Sequence, residues 1–180
     1  AKSLGLALRI TFYALRFTMK IAIFSESYEP VVNGVTVSIL ALTSELKKLG
    51  HETYVFAPGF PGHKDVANRT IRFPSIRTVF ARDYPLAVPY MPGLTEKVRQ
   101  LKLDVIHTQT PFMLGWLGLR LGKRLGIPVV STNHTLYTEY VHYFPLAPKS
   151  VSRAFIVGML RRYYNRCAHV IAPSMPVEVV

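Results

Sequence analysis

Three polar clusters in this 180-residue chain carry the side chains that could do chemistry. Glu26 to Gly34 follows the apolar run Ile21-Ala22-Ile23-Phe24. His107-Thr108-Gln109-Thr110 follows Val105-Ile106, and Thr132-Asn133-His134-Thr135 follows Val129-Val130. An apolar strand, a loop and then a helix start form the first half of a βαβ unit. Ligands of such sheets bind beyond the carboxyl ends of the strands. The three clusters are therefore expected to converge on one crevice. Asn33 and Gly34 stand at the start of the first helix, whose free amides suit an anion such as a phosphate. The same pair would serve equally as a helix cap and a turn. His134 has polar neighbours and an aromatic segment after it, which favours a functional role. His107 reads more readily as a residue that caps a strand, and so do His51, His63 and His169.

Other chemistries find no pattern here. His134 and His142 are eight apart, with no HExxH and no paired cysteines, so no bound metal is expected. No GxSxG elbow and no GxxxxGK[ST] loop occurs, and no GxGxxG follows the first strand.

The elements that must position the clusters follow from periodicity. Val35, Ile39, Leu42, Leu46 and Leu49 form one stripe of a helix that Asn33 caps and Gly50 ends. His51–Pro58 and Thr70–Ser75 read as strands, with a loop over 60–68 between them. Residues 79–92 hold Pro85, Pro89 and Pro92 and read as irregular or partly extended. Leu94–Leu103 is a basic helix and Asp104–Thr110 a strand. Phe112–Leu125 is a helix buried through Leu114, Leu117, Leu121 and Leu125, with Gly115, Gly118 and Gly122 allowing close packing. Pro128–Thr132 is a strand, 137–148 an aromatic loop or short helix, Lys149–Arg166 a basic helix and His169–Ser174 a last strand. Strands alternating with helices predict an α/β fold, a Rossmann-like parallel sheet with helices on both faces.

Composition narrows the class. The chain is 49% hydrophobic, which excludes a disordered protein. Cys167 is the only cysteine, so no internal disulfide forms. Lys and Arg number 22 against 10 Asp and Glu, a net charge of +12, which points to an anionic partner. Residues 1–18 are apolar with Lys2, Arg9 and Arg16 at seven-residue steps. They read as a leader upstream of a natural start at Met19, or as an amphipathic membrane-surface segment. A helix beginning near Pro176 reads as interrupted, so residues 19–180 are expected to be the first part of a longer protein.

Four ordered motifs then carry a resemblance. They are Tyr28-x-Pro30-x-x-Asn33-Gly34-Val35, Asp104-Val105-Ile106-His107-Thr108-x-Thr110-Pro111, Thr132-x-His134-Thr135-x-Tyr137-x-x-Tyr140 and Val170-Ile171-Ala172-Pro173-Ser174. Over residues 19–180 the chain resembles the N-terminal domain of glycosyltransferase family 4, retaining enzymes of the GT-B fold. Within that family it is most similar to diacylglycerol glucosyltransferases, with lipid mannosyltransferases close behind.

The resemblance implies two Rossmann-like domains, of which a C-terminal one, absent here, holds most of the donor. It implies transfer of a hexose from a sugar nucleotide, UDP-glucose or GDP-mannose, to a membrane lipid, without cofactor or metal. Asn33 and Gly34 would lie by the donor phosphates, and His134 would donate a hydrogen bond to the donor sugar. Tyr28, His107, Thr110 and Tyr137 would line the acceptor side. The 180-residue chain alone would be inactive. The expected location is cytoplasmic, on the inner face of an anionic membrane. Asn133 replaces a frequent aromatic and Glu26 a frequent Asp, which leaves the acceptor open. The rival readings are a family member with a soluble acceptor and a non-catalytic nucleotide- or membrane-binding module. Nucleic acid is not an expected partner, because no stacking or recognition-helix pattern accompanies the charge.

Overall fold

The computed structural model describes residues 18–65, 69–78, 81–134 and 149–173. The expectations for residues 1–17, for 137–148 with Tyr137, and for the helix start near Pro176 lie outside them. The described strands are β1 (Lys20–Phe24), β2 (Glu52–Pro58), β3 (Thr70–Phe73), β4 (Ser75–Thr78), β5 (Ala81–Ala87), β6 (Val105–Thr108), β7 (Val129–Thr132) and β8 (His169–Ile171). The described helices are α1 (Gly34–Lys48), α2 (Leu94–Leu101), α3 (Met113–Leu125) and α4 (Lys149–Tyr164).

Six strands form one parallel sheet in the order β3-β2-β1-β6-β7-β8. Side chains alternate across it. Ile21, Ile23, Val55 and Ala57 face α1 and pack with Ile39, Val35, Leu42 and Leu46. Ala22, Phe24, Phe56, Ile71 and Phe73 face the other way, onto Leu94 and Val98 of α2 and onto α3. Both faces are thus covered, as runs with no polar alternation require. The strand order reverses between β1 and β6, and this switch point is where such sheets bind ligands.

The glycines of α3 set its distance from the sheet. A Cβ on Gly118 would come within 2.8 Å of Thr108 Cγ2, and one on Gly122 within 2.3 Å of Val129 Cγ2. A Cβ on Gly115 would lie 1.9 Å from the carbonyl oxygen of Thr110. That contact presses the first turn of α3 onto the end of β6.

Two expectations need correction and a third is made definite. Thr70–Ser75 is not one strand: β3 ends at Phe73, and after Pro74 the chain leaves the parallel sheet. The proline-rich 79–92 segment is partly extended, as expected, and its extended part is β5, which pairs with β4 as an antiparallel hairpin. Pro85 falls where the register shifts, between the Ile76–Leu86 and Thr78–Ala81 pairs, so its missing N–H breaks no ladder bond there. Leu49 does not belong to the buried stripe of α1. It is the C-cap and is 61% exposed.

Candidate functional site

The β1–α1 loop and the β6–α3 loop meet at the switch point. Gln109 N–H donates to the Phe24 carbonyl at 2.8 Å, which carries the β1–β6 pairing one residue past the strand. Glu26 Oε1 then accepts from the Leu114 N–H at 2.5 Å, joining the first loop to the start of α3. Burial pushes the Glu26 carboxyl up to about 7, against the lowering effect of that N–H. Its second oxygen, Oε2, is buried without a hydrogen-bond partner.

Asn33 closes the first loop. Its Oδ1 accepts from Thr36 N–H at 2.9 Å, and its Nδ2 donates to Ser27 Oγ at 2.8 Å. Asn33 is therefore the N-cap, and its side chain is held by the loop itself. An α-helix leaves its first amides without intrahelical acceptors, so those of Gly34 and Val35 remain open. A Cβ on Gly34 would meet nothing within 4 Å. No packing within the described chain calls for glycine at 34.

Tyr28 is set on the other side of the same loop. Its ring lies under the Arg72 guanidinium, 5.4 Å from the centroid. Arg72 is itself fixed by Asp65, at 3.0 and 2.5 Å, and by the carbonyls of Pro58 and Glu29, both at 2.8 Å. This pins the loop to β2 and β3. A narrow cleft between Glu26, Ser27, Tyr28, Pro58, Phe60 and Pro85 opens beside Tyr28.

The second and third clusters are joined by two direct contacts. His107 Nε2 lies 2.7 Å from Thr132 Oγ1, in a buried pair between β6 and β7. Burial, and then the nearby His134, push the His107 imidazole down to about 4, so it is neutral at physiological pH. His134 Nε2 lies 2.6 Å from Gln109 Oε1, and burial lowers its pKa as well. Thr110 is 8% exposed and its Oγ1 has no hydrogen-bond partner. Gln109 is 1% exposed, and its Nε2 is likewise unpartnered.

Buried polar atoms are normally paired. Glu26 Oε2, Gln109 Nε2 and Thr110 Oγ1 are not, and all three follow the carboxyl ends of β1 and β6. Two of them belong to residues the sequence did not single out. A glutamine between two threonines has no spacing signature, and Glu26 stood out only as a departure from a motif. By contrast His51 Nδ1 accepts from the Met19 N–H at 3.2 Å, a structural contact. His63 Nε2 is also buried without a hydrogen-bond partner, but it lies away from this site, 3.5 Å from Asp65. Among the described residues no group of three or more His, Cys, Asp or Glu side chains is placed to hold a metal ion.

A sheet with this strand order binds its ligands at the switch point, where this polar cluster lies. A model of glycosyltransferase family 4 matches residues 32–178. The chain belongs to Glycosyltransferase Family 4. It is 38% identical to an alpha-monoglucosyldiacylglycerol synthase of Streptococcus pneumoniae over 161 residues, 87% of this chain and 35% of the relative. It is 35% identical over 169 residues to the synthase of the same name from Acholeplasma laidlawii, covering 88% of this chain and 42% of that one. A GDP-mannose-dependent alpha-mannosyltransferase of Mycobacterium tuberculosis is 36% identical over 162 residues, 87% of this chain and 42% of the relative. The chain thus spans 35–42% of the length of these relatives.

Proposed function

We propose that this chain is the acceptor-side half of a retaining glycosyltransferase that moves a hexose from a sugar nucleotide to a membrane lipid such as diacylglycerol. The observation that carries this reading is the likeness, over 87–88% of the chain, to two synthases whose names specify glucosyldiacylglycerol. A second Rossmann-like domain would hold most of the donor, UDP-glucose in this reading. GDP-mannose is the second reading, favoured by the 36% identity to a GDP-mannose-dependent relative.

The chemistry asks for three things that residues here can supply. As the acceptor oxygen bonds to the anomeric carbon, the bond to phosphate breaks, its electron pair leaves with the nucleoside diphosphate, and the acceptor's hydroxyl proton passes to an oxygen of the departing phosphate. The open amides of Gly34 and Val35, at the positive end of α1, oppose that charge without a proton transfer. With no Cβ at 34, a phosphate could come close to the backbone. His134, neutral and held at the end of β7, would orient the sugar through a hydroxyl. Tyr28, Thr110 and Tyr137 would line the acceptor side. His107 would act behind them by holding Thr132.

The surface supports a lipid acceptor. On α4, Arg153, Arg161 and Arg162 are exposed together with Val151 and Phe155, the latter 71% exposed. Tyr90 is 70% exposed ahead of α2, which carries Lys97 and Arg99. No helix among the described residues is long and apolar enough to cross a membrane. Peripheral docking on the inner, anionic leaflet would draw about 1 kcal/mol from each Lys or Arg near the surface. Full-length protein with diacylglycerol in anionic vesicles should give a glycolipid from UDP-glucose, less from GDP-mannose, with rates that fall as salt rises. Transfer only to water-soluble acceptors, or equal binding to neutral vesicles at every salt concentration, would reject the lipid reading.

A further inference from the structure

His134 reaches the site with one ring nitrogen already engaged. Its Nε2 is 2.6 Å from Gln109 Oε1, a carboxamide oxygen that can only accept, so the ring proton sits on Nε2. Burial lowers the affinity of His134 for a second proton, and the neighbouring His107 is also held neutral by burial. The Nδ1 of His134 therefore carries a lone pair. Gln109 can impose this because it is itself immobile. It is 1% exposed, and its main-chain N–H is bonded to β1.

We propose that Gln109 is a positioning residue that fixes His134 as the Nε2–H tautomer, so that Nδ1 accepts a hydrogen bond from a substrate hydroxyl. The proposal rests on the glycosyl-transfer reading only in taking that hydroxyl to be a sugar's. It reverses the direction expected from sequence, in which the imidazole donates. It also accounts for the second half of the amide. Gln109 Nε2 is buried and has no hydrogen-bond partner, so it is a donor available beside a ring that accepts. A hydroxylated ligand, which both donates and accepts, suits the pair. A carboxylate or phosphate suits it poorly, since it brings no proton for Nδ1.

The test is histidine-selective nitrogen NMR on the full-length protein, with rates measured beside it. Wild type should show a His134 Nε2–H proton protected from exchange and a bare Nδ1. Gln109→Met removes the acceptor at nearly constant volume and so preserves folding. In that variant the Nε2–H proton should lose its protection, and kcat should fall about 100-fold with KM little changed. Gln109→Glu keeps an acceptor in place and should recover the Nε2–H signal and part of the rate at alkaline pH. A proton on Nδ1 in the wild type overturns the proposal. So does an unchanged Nε2–H proton in Gln109→Met, or a variant that loses stability and rate together with no spectroscopic change. Failure of the glycosyl-transfer reading has its own signature: the tautomer follows Gln109 as stated, yet the full-length protein transfers no hexose from any sugar nucleotide.

Discussion

Replacing Glu26 with glutamine isolates the cost of holding a carboxyl in the loop between β1 and α1. The native carboxyl keeps its proton up to about 7, whereas in the unfolded chain it titrates at its ordinary value of 4.5. Between those values the native state binds more protons than the unfolded one, so this group's contribution falls as pH rises. At about 1.4 kcal/mol per pH unit, the interval amounts to about 3 kcal/mol. The loss is absent below 4.5 and complete above about 7. Glutamine keeps an oxygen for the Leu114 N–H and never ionises, so it lacks this slope. The variant's advantage over wild type should therefore grow by about 3 kcal/mol between about pH 4 and about pH 8.5. Urea titrations of both proteins across that range measure it. A stability difference that does not change with pH would show instead that the Glu26 carboxyl is solvated in the native state.

The buried histidine gives the opposite slope. The His107 imidazole titrates at about 4 in the native state against an ordinary 6.5, so its contribution is present above 6.5 and lost as pH falls through 4. His107→Gln should remove about 3 kcal/mol of acid sensitivity in the same urea titrations. Gly115→Ala should cost about 3 kcal/mol or abolish folding, because its Cβ would meet the Thr110 carbonyl at 1.9 Å, and calorimetry or expression yield reads it. Gly34→Ala has open space and should keep or slightly raise the melting temperature, while raising KM for the sugar nucleotide if a phosphate approaches the backbone there.

The parts of this fold that sequence revealed are those with a strong period. The stripe of α1 and the short apolar strands each left one reading, and their alternation left one kind of sheet. The small residues of α3 announced close packing, which the contacts of Gly118 and Gly122 bear out. The β4–β5 hairpin was hidden because proline signals a broken ladder, and here the break falls at a register shift. Leu49 was misplaced because periodicity cannot tell a last buried turn from a cap. The site was legible as three polar clusters at strand ends, but not in its internal connections. That His107 lies against Thr132 and His134 against Gln109 depends on β6 and β7 being neighbours in register. Nothing in either local sequence states that pairing.

In the proposed function, sugar transfer takes place over the polar cluster beyond β1, β6 and β7. The most direct test replaces His134, which lies at the junction of two of these loops, in the full-length enzyme. Initial rates and thermal unfolding are measured on the same preparations of wild type, His134→Ala and His134→Gln. His134→Ala should lose about 100-fold or more in kcat at an unchanged melting temperature, with His134→Gln recovering part of it. A stable His134→Ala protein with near wild-type kcat would contradict it.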